Sequence, residues 1–354
     1  MTPGVPGRYH TSLMSSTHKT PAPAWDAIAR VFDQHQRILL STHVNPDGDG
    51  LGAELGLWAY LKARGKDVRI LNPDPLPARY RFLAAEGEFL TYDPSQHASL
   101  IADAEVVVVL DISKWERLDA LGAALEASDA VKVCIDHHPY EGNGMADHYG
   151  VDLSAAATGQ LVYEMIRDWG HAVDRTMAKG FYISILTDTG SFRFSNSDGR
   201  AHRVAAELID TGLDPNVLYE AVYGNSSLAR VRLMGEALRA MQVHDEGRVL
   251  LLVLSQDMVQ RTGAVPADTE GFVDVARSVE GCEGLALLME REDGRIKTSL
   301  RSKGRISVNR VARQFGGGGH ELASGATLDG PLERAASRIL DAMRAEIARS
   351  LPEA

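Results

Sequence analysis

Val131-Lys-Val-Cys-Ile-Asp136-His137-His138-Pro139 is the stretch on which the fold turns: a short β-forming run that breaks off at an acid and two imidazoles. The pattern repeats upstream. Val106-Val-Val-Val-Leu110 runs into Asp111, Arg37-Ile-Leu-Leu-Ser-Thr runs into His43, and Val68 to Leu71 makes a further strand. Helical stretches separate the runs, and one of them, after a glycine-punctuated turn, carries Leu51, Leu55, Trp58 and Leu61 on one face. Continuous Val/Ile/Leu runs alternating with helices indicate a parallel sheet covered on both faces. A helix is expected from about Thr158 to Trp169, followed by an apolar segment, Phe181 to Leu186, that ends near Asp188.

The chain has 354 residues, 44% hydrophobic and 24% charged, enough for two soluble domains with cores of their own. Residues 1–24, rich in Pro, Ser, Thr and Gly, read as a flexible leader. A catalytic domain is expected over 25–205, a mostly helical linker over 206–243, and a second domain over 244–354. That second domain holds Val249 to Leu254, a hairpin of Leu285–Met289 with Arg295–Leu300, and a closing amphipathic helix through Leu332, Ala336, Ile339, Met343 and Ile347. The net charge of −11 argues against coating long duplex DNA, since such binding rests on phosphate neutralisation. Cys134 and Cys282 stand alone beside apolar runs and read as buried thiols. No apolar run approaches the roughly 20 residues of a membrane span, and a cytoplasmic protein is expected.

His43, Asp111, Asp136 and Asp188 each follow an apolar run, at the carboxyl end of an expected strand or buried segment. In open α/β sheets ligands bind in the crevice outside those ends. Asp47 and Asp49 join His43 through a turn, His43-Val-Asn-Pro-Asp47-Gly-Asp49-Gly, whose glycines let two carboxylates and an imidazole converge. Any one of these acids could be a turn residue or a helix cap; four segments delivering them to one edge point to metal binding. The donors are oxygen and imidazole without sulfur, which suits Mn²⁺ or Mg²⁺. A pair of such ions activates a water and stabilises both oxygens of an in-line displacement.

The ordered set resembles the DHH–DHHA1 phosphoesterase family, and within it the nanoRNase, or oligoribonuclease and pAp phosphatase, type. The resemblance covers the chain from about residue 25. It rests on His43, Asp47 and Asp49, then Asp111, the Asp136-His137-His138 triplet and Asp188, and on the glycine run Gly316–Gly319 with His320 and Ala323-Ser-Gly325. It implies an α/β fold, with a parallel-sheet DHH domain joined by a helical linker to a smaller α/β DHHA1 domain. It implies two Mn²⁺ per chain, with Mg²⁺ as a substitute. His43 and Asp47 would hold one ion, Asp49, His137 and Asp188 the other, with Asp111 bridging. Asp136 would orient an imidazole, and His138 would sit at the scissile phosphate as hydrogen-bond or proton donor.

Between Arg291 and Arg313 there are eight Lys or Arg against Glu292 and Asp293, a local balance of +6 in an acidic protein. Such a footprint suits a short anionic substrate. Backbone N–H groups of Gly317, Gly318 and Gly319 can approach a phosphate. By resemblance, Arg301, Ser302 and His320 grip the substrate's terminal phosphate, with Asn309 a further candidate. Arg193 and Phe194 are candidates for pairing or stacking. A phosphate grip acting with the metal pair admits about two to five nucleotides and gives longer strands no extra hold, as the few aromatics also suggest.

The expected activity is hydrolysis of short single-stranded oligonucleotides to mononucleotides, together with dephosphorylation of pAp, by a protein expected to be a homodimer. A phosphodiesterase for c-di-AMP or pApA would use the same residues. A RecJ-like exonuclease is disfavoured by the charge, an inorganic pyrophosphatase by the glycine–histidine motif, and a non-catalytic nucleotide sensor by the complete ligand set.

Overall fold

In a computed structural model, the described residues are 23–351 apart from 86–87, 113, 140–143, 270 and 320, so most of the expected leader and His320 lie outside them. The chain divides into two compact units between Asn225 and Ser226.

In the first unit the elements run α1 (Trp25–Gln34), β1 (Arg37–Ser41), α2 (Gly48–Ala63), β2 (Asp67–Asn72), β3 (Phe89–Thr91), α3 (Pro94–Asp103), β4 (Val106–Leu110), α4 (Asp119–Glu126), β5 (Val131–Asp136), β6 (His148–Val151), α5 (Thr158–Asp168), α6 (Arg175–Asp188), α7 (Gly199–Ile209) and α8 (Pro215–Tyr223). Its six strands are all parallel, in the order β3-β2-β1-β4-β5-β6. Alternation along the strands divides the core. Ile38, Leu40, Val106, Val108 and Leu110 pack with α2, α5 and α6, whereas Leu39, Val107 and Val109 pack with α3 and α4 on the other face. The strand order reverses between β1 and β4, the crevice where ligands of such sheets bind.

Two elements differ from the sequence reading. The apolar segment ending near Asp188 is the last part of helix α6, not a strand: a short apolar run looks alike in both states, and α6 is buried along most of its length. Helix α2 does not present one apolar face. Every residue of it is buried except Trp58, Lys62 and Ala63. Its glycines explain how: a Cβ on Gly52 would lie 2.4 Å from the Gly180 carbonyl oxygen, and one on Gly56 would lie 2.0 Å from the Phe181 ring. The backbones of α2 and α6 therefore touch.

The second unit runs α9 (Leu228–Arg239), β7 (Gln242–His244), β8 (Val249–Leu254), α10 (Gln256–Thr262), α11 (Phe272–Ala276), β9 (Gly284–Glu290), β10 (Arg295–Ser302), α12 (Val308–Arg313), β11 (Gly318–Gly319), β12 (Ala323–Asp329) and α13 (Leu332–Ser350). Its sheet has the order β11-β12-β10-β9-β8-β7, with β8 and β9 parallel and the other pairs antiparallel. One face packs on α12 and α13, the other on α9, α10 and α11. The stretch 206–243, expected as one linker, contains the end of α7 together with α8 and α9, and the division between units falls inside it. Among the described residues, no helix is long and apolar enough to cross a membrane.

Candidate metal centre

The acids and imidazoles of the first unit meet beyond the carboxyl ends of β1, β4 and β5. His43 follows β1, Asp111 follows β4 with a left-handed backbone (φ 64°), and Asp136 is the last residue of β5. Helix α2 supplies Asp47 and Asp49 from its first turn. Asp47 is also its N-cap, with Oδ1 accepting from the amides of Asp49 (3.0 Å) and Gly50 (3.3 Å). Asp188 arrives on the last residue of α6.

Two groups of ligand atoms, each mutually within 4.8 Å, emerge: His43 with Asp47 and Asp111, and Asp49 with His137 and Asp188. A third, Asp111 with His137 and His138, overlaps them. His43 Nε2 lies 3.4 Å from Asp111 Oδ2 and 3.9 Å from Asp47 Oδ1. His137 Nε2 lies 3.3 Å from Asp49 Oδ2 and 3.7 Å from both Asp111 Oδ1 and Asp188 Oδ2.

The other ring nitrogens settle how these imidazoles point. His43 Nδ1 is 2.8 Å from the Val44 carbonyl oxygen and His137 Nδ1 is 3.2 Å from that of Ala155. A carbonyl only accepts, so Nδ1 carries a proton in both rings and Nε2 is the atom turned to the carboxylates: a donor to them when the ring is charged, a lone pair for a cation when it is neutral. His137 Nε2 is buried and has no hydrogen-bond partner although three carboxylate oxygens surround it. A lone pair facing carboxylates is repulsive unless a cation lies between them, so the donor set fits a divalent ion with oxygen and imidazole ligands.

His138 is held differently. Asp136, wholly buried, accepts its backbone N–H (3.0 Å) and its Nδ1–H (2.9 Å), and the ring packs edge-on against His137 with centroids 4.4 Å apart. Burial would lower its pKa, but the carboxylates of Asp111 and Asp136 outweigh burial and push it up to about 11. It stands as a protonated donor beside the ligand cluster.

Four carboxylates share this small volume. Burial first, and then the charges of Asp111, Asp188 and Asp47, push Asp49 well above the usual carboxylate range. Burial and the charges of Asp111 and Asp47 likewise push Asp188 up to about 6. Asp111 goes the other way: burial would raise it, but hydrogen bonds from His138 and His43 hold it far below the usual range. A positive ion among these oxygens would relieve the repulsion that loads Asp49 and Asp188.

Four residues that the sequence reading did not single out complete the centre. Thr158, at the start of α5, donates its N–H to Asp49 Oδ2 (2.9 Å) and its hydroxyl to Asp111 Oδ1 (3.1 Å), and the Gly159 amide reaches Asp49 Oδ1 at 3.2 Å. Asp49 thereby serves as the N-terminal acceptor of a helix remote in sequence. Ser184 on α6 donates to Asp49 Oδ1. Asn196 Nδ2 reaches both Asp188 Oδ2 and its carbonyl at 3.2 Å. Nothing local marks these side chains, since their partners lie up to 135 residues away. The same 189–196 loop presses the Phe194 ring on Gly190, and the Arg193 guanidinium lies 6.0 Å over that ring, which is 37% exposed.

In the second unit, folding neutralises much of the basic footprint. Arg305 pairs with Glu283 (2.7 Å), Arg310 with Glu346 (2.5 Å), and Arg295 with Asp293 (2.7 Å). Arg301 is one of those left without an ion pair among the described residues: half-buried, it donates to the Leu300 carbonyl (3.0 Å), while burial lowers its pKa. Ser302 is buried and accepts from the Gly304 amide, and Asn309 carries a buried Oδ1 without a partner. The glycine run is not a loop throughout. Gly318 and Gly319 form the edge strand β11, paired with Gly325 and Ser324, and Gly317 sits where a Cβ would lie 2.1 Å from the Gly325 carbonyl.

Comparison with known proteins agrees with this architecture. The model of the DHH family, N-terminal domain, matches residues 37–185, and that of the DHHA1 domain matches residues 249–349. A bifunctional oligoribonuclease and PAP phosphatase, NrnA, of Thermus thermophilus is 36% identical over 318 residues, covering 88% of this chain and 91% of its own length. The protein of the same name from Bacillus subtilis is 28% identical, covering 85% and 92%. Among solved structures, an exopolyphosphatase-related protein from Bacteroides fragilis superposes with a TM-score of 0.87 at 30% identity, over 91% of this chain and 95% of that one. Exonuclease RecJ bound to manganese shares the fold at a TM-score of 0.52 and 14% identity, over 94% and 98%. On this similarity along nearly the whole chain, the protein belongs to the DHH phosphoesterase family, with a DHH domain followed by a DHHA1 domain.

Proposed function

We propose that the protein hydrolyses short oligonucleotides of about two to five residues to mononucleotides and removes the 3′-phosphate of pAp, using two Mn²⁺ held by the first unit. The observation that carries the reading is the convergence of the His43 and His137 Nε2 atoms on the shared carboxylate of Asp111, with Asp47, Asp49 and Asp188 beside it. The oligoribonuclease and PAP phosphatase activity for which the Thermus and Bacillus relatives are named supports the substrate class.

His43 and Asp47 would hold one ion, Asp49, His137 and Asp188 the other, and Asp111, placed between the groups, would serve both. When bound, such ions supply Lewis acidity at the phosphorus centre and lower the pKa of water. The chain's own residues do the rest. Asp136 fixes the His138 ring, and His138, carrying a proton, donates to the leaving oxygen as the P–O bond breaks. Thr158, Ser184 and Asn196 hold Asp49, Asp111 and Asp188 against their mutual repulsion. In the second unit, Arg301, lacking an ion-pair partner, takes a substrate phosphate, with Ser302, Asn309, His320 and the amides of Gly317, Gly318 and Gly319. Residues 25–205 would then act as the catalytic domain, 206–243 as the linker and 244–354 as the substrate-binding domain. A homodimer working in the cytoplasm belongs to the same reading and is open to test by analytical ultracentrifugation and cell fractionation.

The deciding experiment is a mass-spectrometric competition. Protein with Mn²⁺ meets equimolar pApA, a five-nucleotide RNA, pAp, c-di-AMP and a 24-nucleotide single strand. Fast loss of pApA, the 5-mer and pAp is expected. Preferential loss of c-di-AMP would move the protein to nucleotide signalling, and rapid loss of the 24-mer would overturn the length limit.

A further inference from the structure

Behind the metal ligands lies a polar chain inside an otherwise apolar core. Glu54 on α2 is fully buried; its Oε2 accepts from Asn72 Nδ2 at 2.9 Å, and its Oε1 has no partner. Asn72, the last residue of β2, uses its Oδ1 to accept the Thr42 backbone N–H at 3.0 Å. Thr42 Oγ1 in turn donates to the Leu110 carbonyl at 2.9 Å.

The positions of these bonds are informative. The ladder between β1 and β4 ends at Ser41 and Val109. One residue further on, the Asn72 amide takes the N–H that a strand neighbour would otherwise bond, and the Thr42 hydroxyl takes the carbonyl on the opposite side. Side chains thus extend the sheet by one step, at the point where His43 follows Thr42 and Asp111 follows Leu110. The first turn of α2 bears on the same residue, since a Cβ on Gly50 would lie 2.2 Å from Thr42 Oγ1. Glu54 fixes which way the Asn72 amide faces. Without an acceptor for Nδ2 the amide gains nothing from that orientation, and its flip would oppose two N–H donors. A leucine would suit the surrounding side chains better than a carboxyl group left half unsatisfied.

We propose that Glu54, Asn72 and Thr42 form one positioning chain that sets the spacing of His43 against Asp111, and so the affinity of the first metal subsite. The proposal rests on the metal reading above. Burial keeps Glu54 uncharged at neutral pH, with a pKa pushed up to about 8, as a group facing an amide rather than a cation requires.

Calorimetric titration of metal-free full-length protein with Mn²⁺, alongside its melting temperature, tests the idea. Thr42→Val and Glu54→Leu should each weaken Mn²⁺ binding by about 10-fold or more, the usual effect of losing a group that orients a ligand. Their metal-free melting temperatures should fall by no more than a few degrees, the cost of one buried hydrogen bond each, with the fold kept. Glu54→Gln, which keeps an acceptor for Asn72, should restore affinity. The double variant Thr42→Val/Glu54→Leu should bind no worse than the weaker single, because both cut one chain. Unchanged affinity in both singles, additive losses, or failure of Glu54→Gln to rescue would overturn the proposal. If Glu54→Leu does not fold, Thr42→Val and Glu54→Gln still decide. Wild-type protein that takes up no Mn²⁺ would instead defeat the metal reading, and this chain with it.

Discussion

The two units bury their acids in opposite ways. In the second, Glu346 is almost inaccessible, yet Arg310 and Arg349 lie 2.5 and 3.3 Å from its carboxylate, and Glu283 has Arg305. In the first, Asp49, Asp111 and Glu54 are as deeply buried, and none has a lysine or arginine ion pair among the described residues. Asp49 and Asp111 meet histidines, and Glu54 meets an amide. A buried acid beside an arginine is already neutralised and holds the fold. Buried acids grouped without one store repulsion that an added cation relieves, which is the difference between a structural ion pair and a binding site.

Removing an imidazole donor should test that distinction hardest. His137→Ala is expected to lower kcat for pApA by ~10³-fold or more, because several kcal/mol of charge stabilisation leave with the ion. Circular dichroism should stay native, and Mn²⁺ content measured by mass spectrometry should fall. Retained Mn²⁺-dependent turnover would show that the cluster is not the active centre.

The unpaired Glu54 should give the metal-free first unit a pH dependence. Its pKa is raised from 4.5 to about 8, so the native state holds the proton while the unfolded state releases it. Stability on this account is complete below about pH 4.5 and declines up to pH 8, by at most ~1.4 kcal/mol per unit. Urea unfolding at pH 5, 6.5 and 8 should show Glu54→Gln gaining on wild type as pH rises; parallel curves would remove Glu54 from the account.

Arg301→Ala in the second unit should instead raise KM about 10- to 100-fold, the loss of a charged hydrogen bond to phosphate, with kcat kept within a few-fold. An equal fall in kcat would make Arg301 part of the reaction rather than of binding. The smallest effects separate the units by packing alone. Gly56→Ala should destabilise by about 1–3 kcal/mol, since its methyl meets the Phe181 ring. Gly235→Ala on α9, with nothing within 4 Å of the new methyl, should stabilise by about 0.5–1 kcal/mol. Thermal melts of the two variants are enough to check both.

The strands and the acids that end them were legible because a buried parallel strand leaves an unbroken apolar run, and the next residue is the first free to be polar. Asp188 was legible as an acid after such a run, but not as a helix end, because Phe181 to Leu186 satisfies either period. Thr158, Ser184 and Asn196 were not legible: a threonine, a serine and an asparagine are ordinary helix and loop residues until the fold brings Asp49, Asp111 and Asp188 to them. Distance in sequence also hid the pairing of Arg310 with Glu346. Counting charges between 291 and 313 left out the acids at 283, 321 and 346, which quench part of that footprint.

The direct contact of the α2 and α6 backbones carries a consequence in time as well as space. Asp49 and Asp188 sit at the ends of two helices whose backbones meet at Gly52 and Gly180, where no side chain lies between them to compress or rearrange. Small independent excursions of either helix are thereby closed off, and the amides along the middle of α2 can meet solvent only when the whole unit opens. Their deuterium exchange should be among the slowest in the protein and should track its global unfolding free energy.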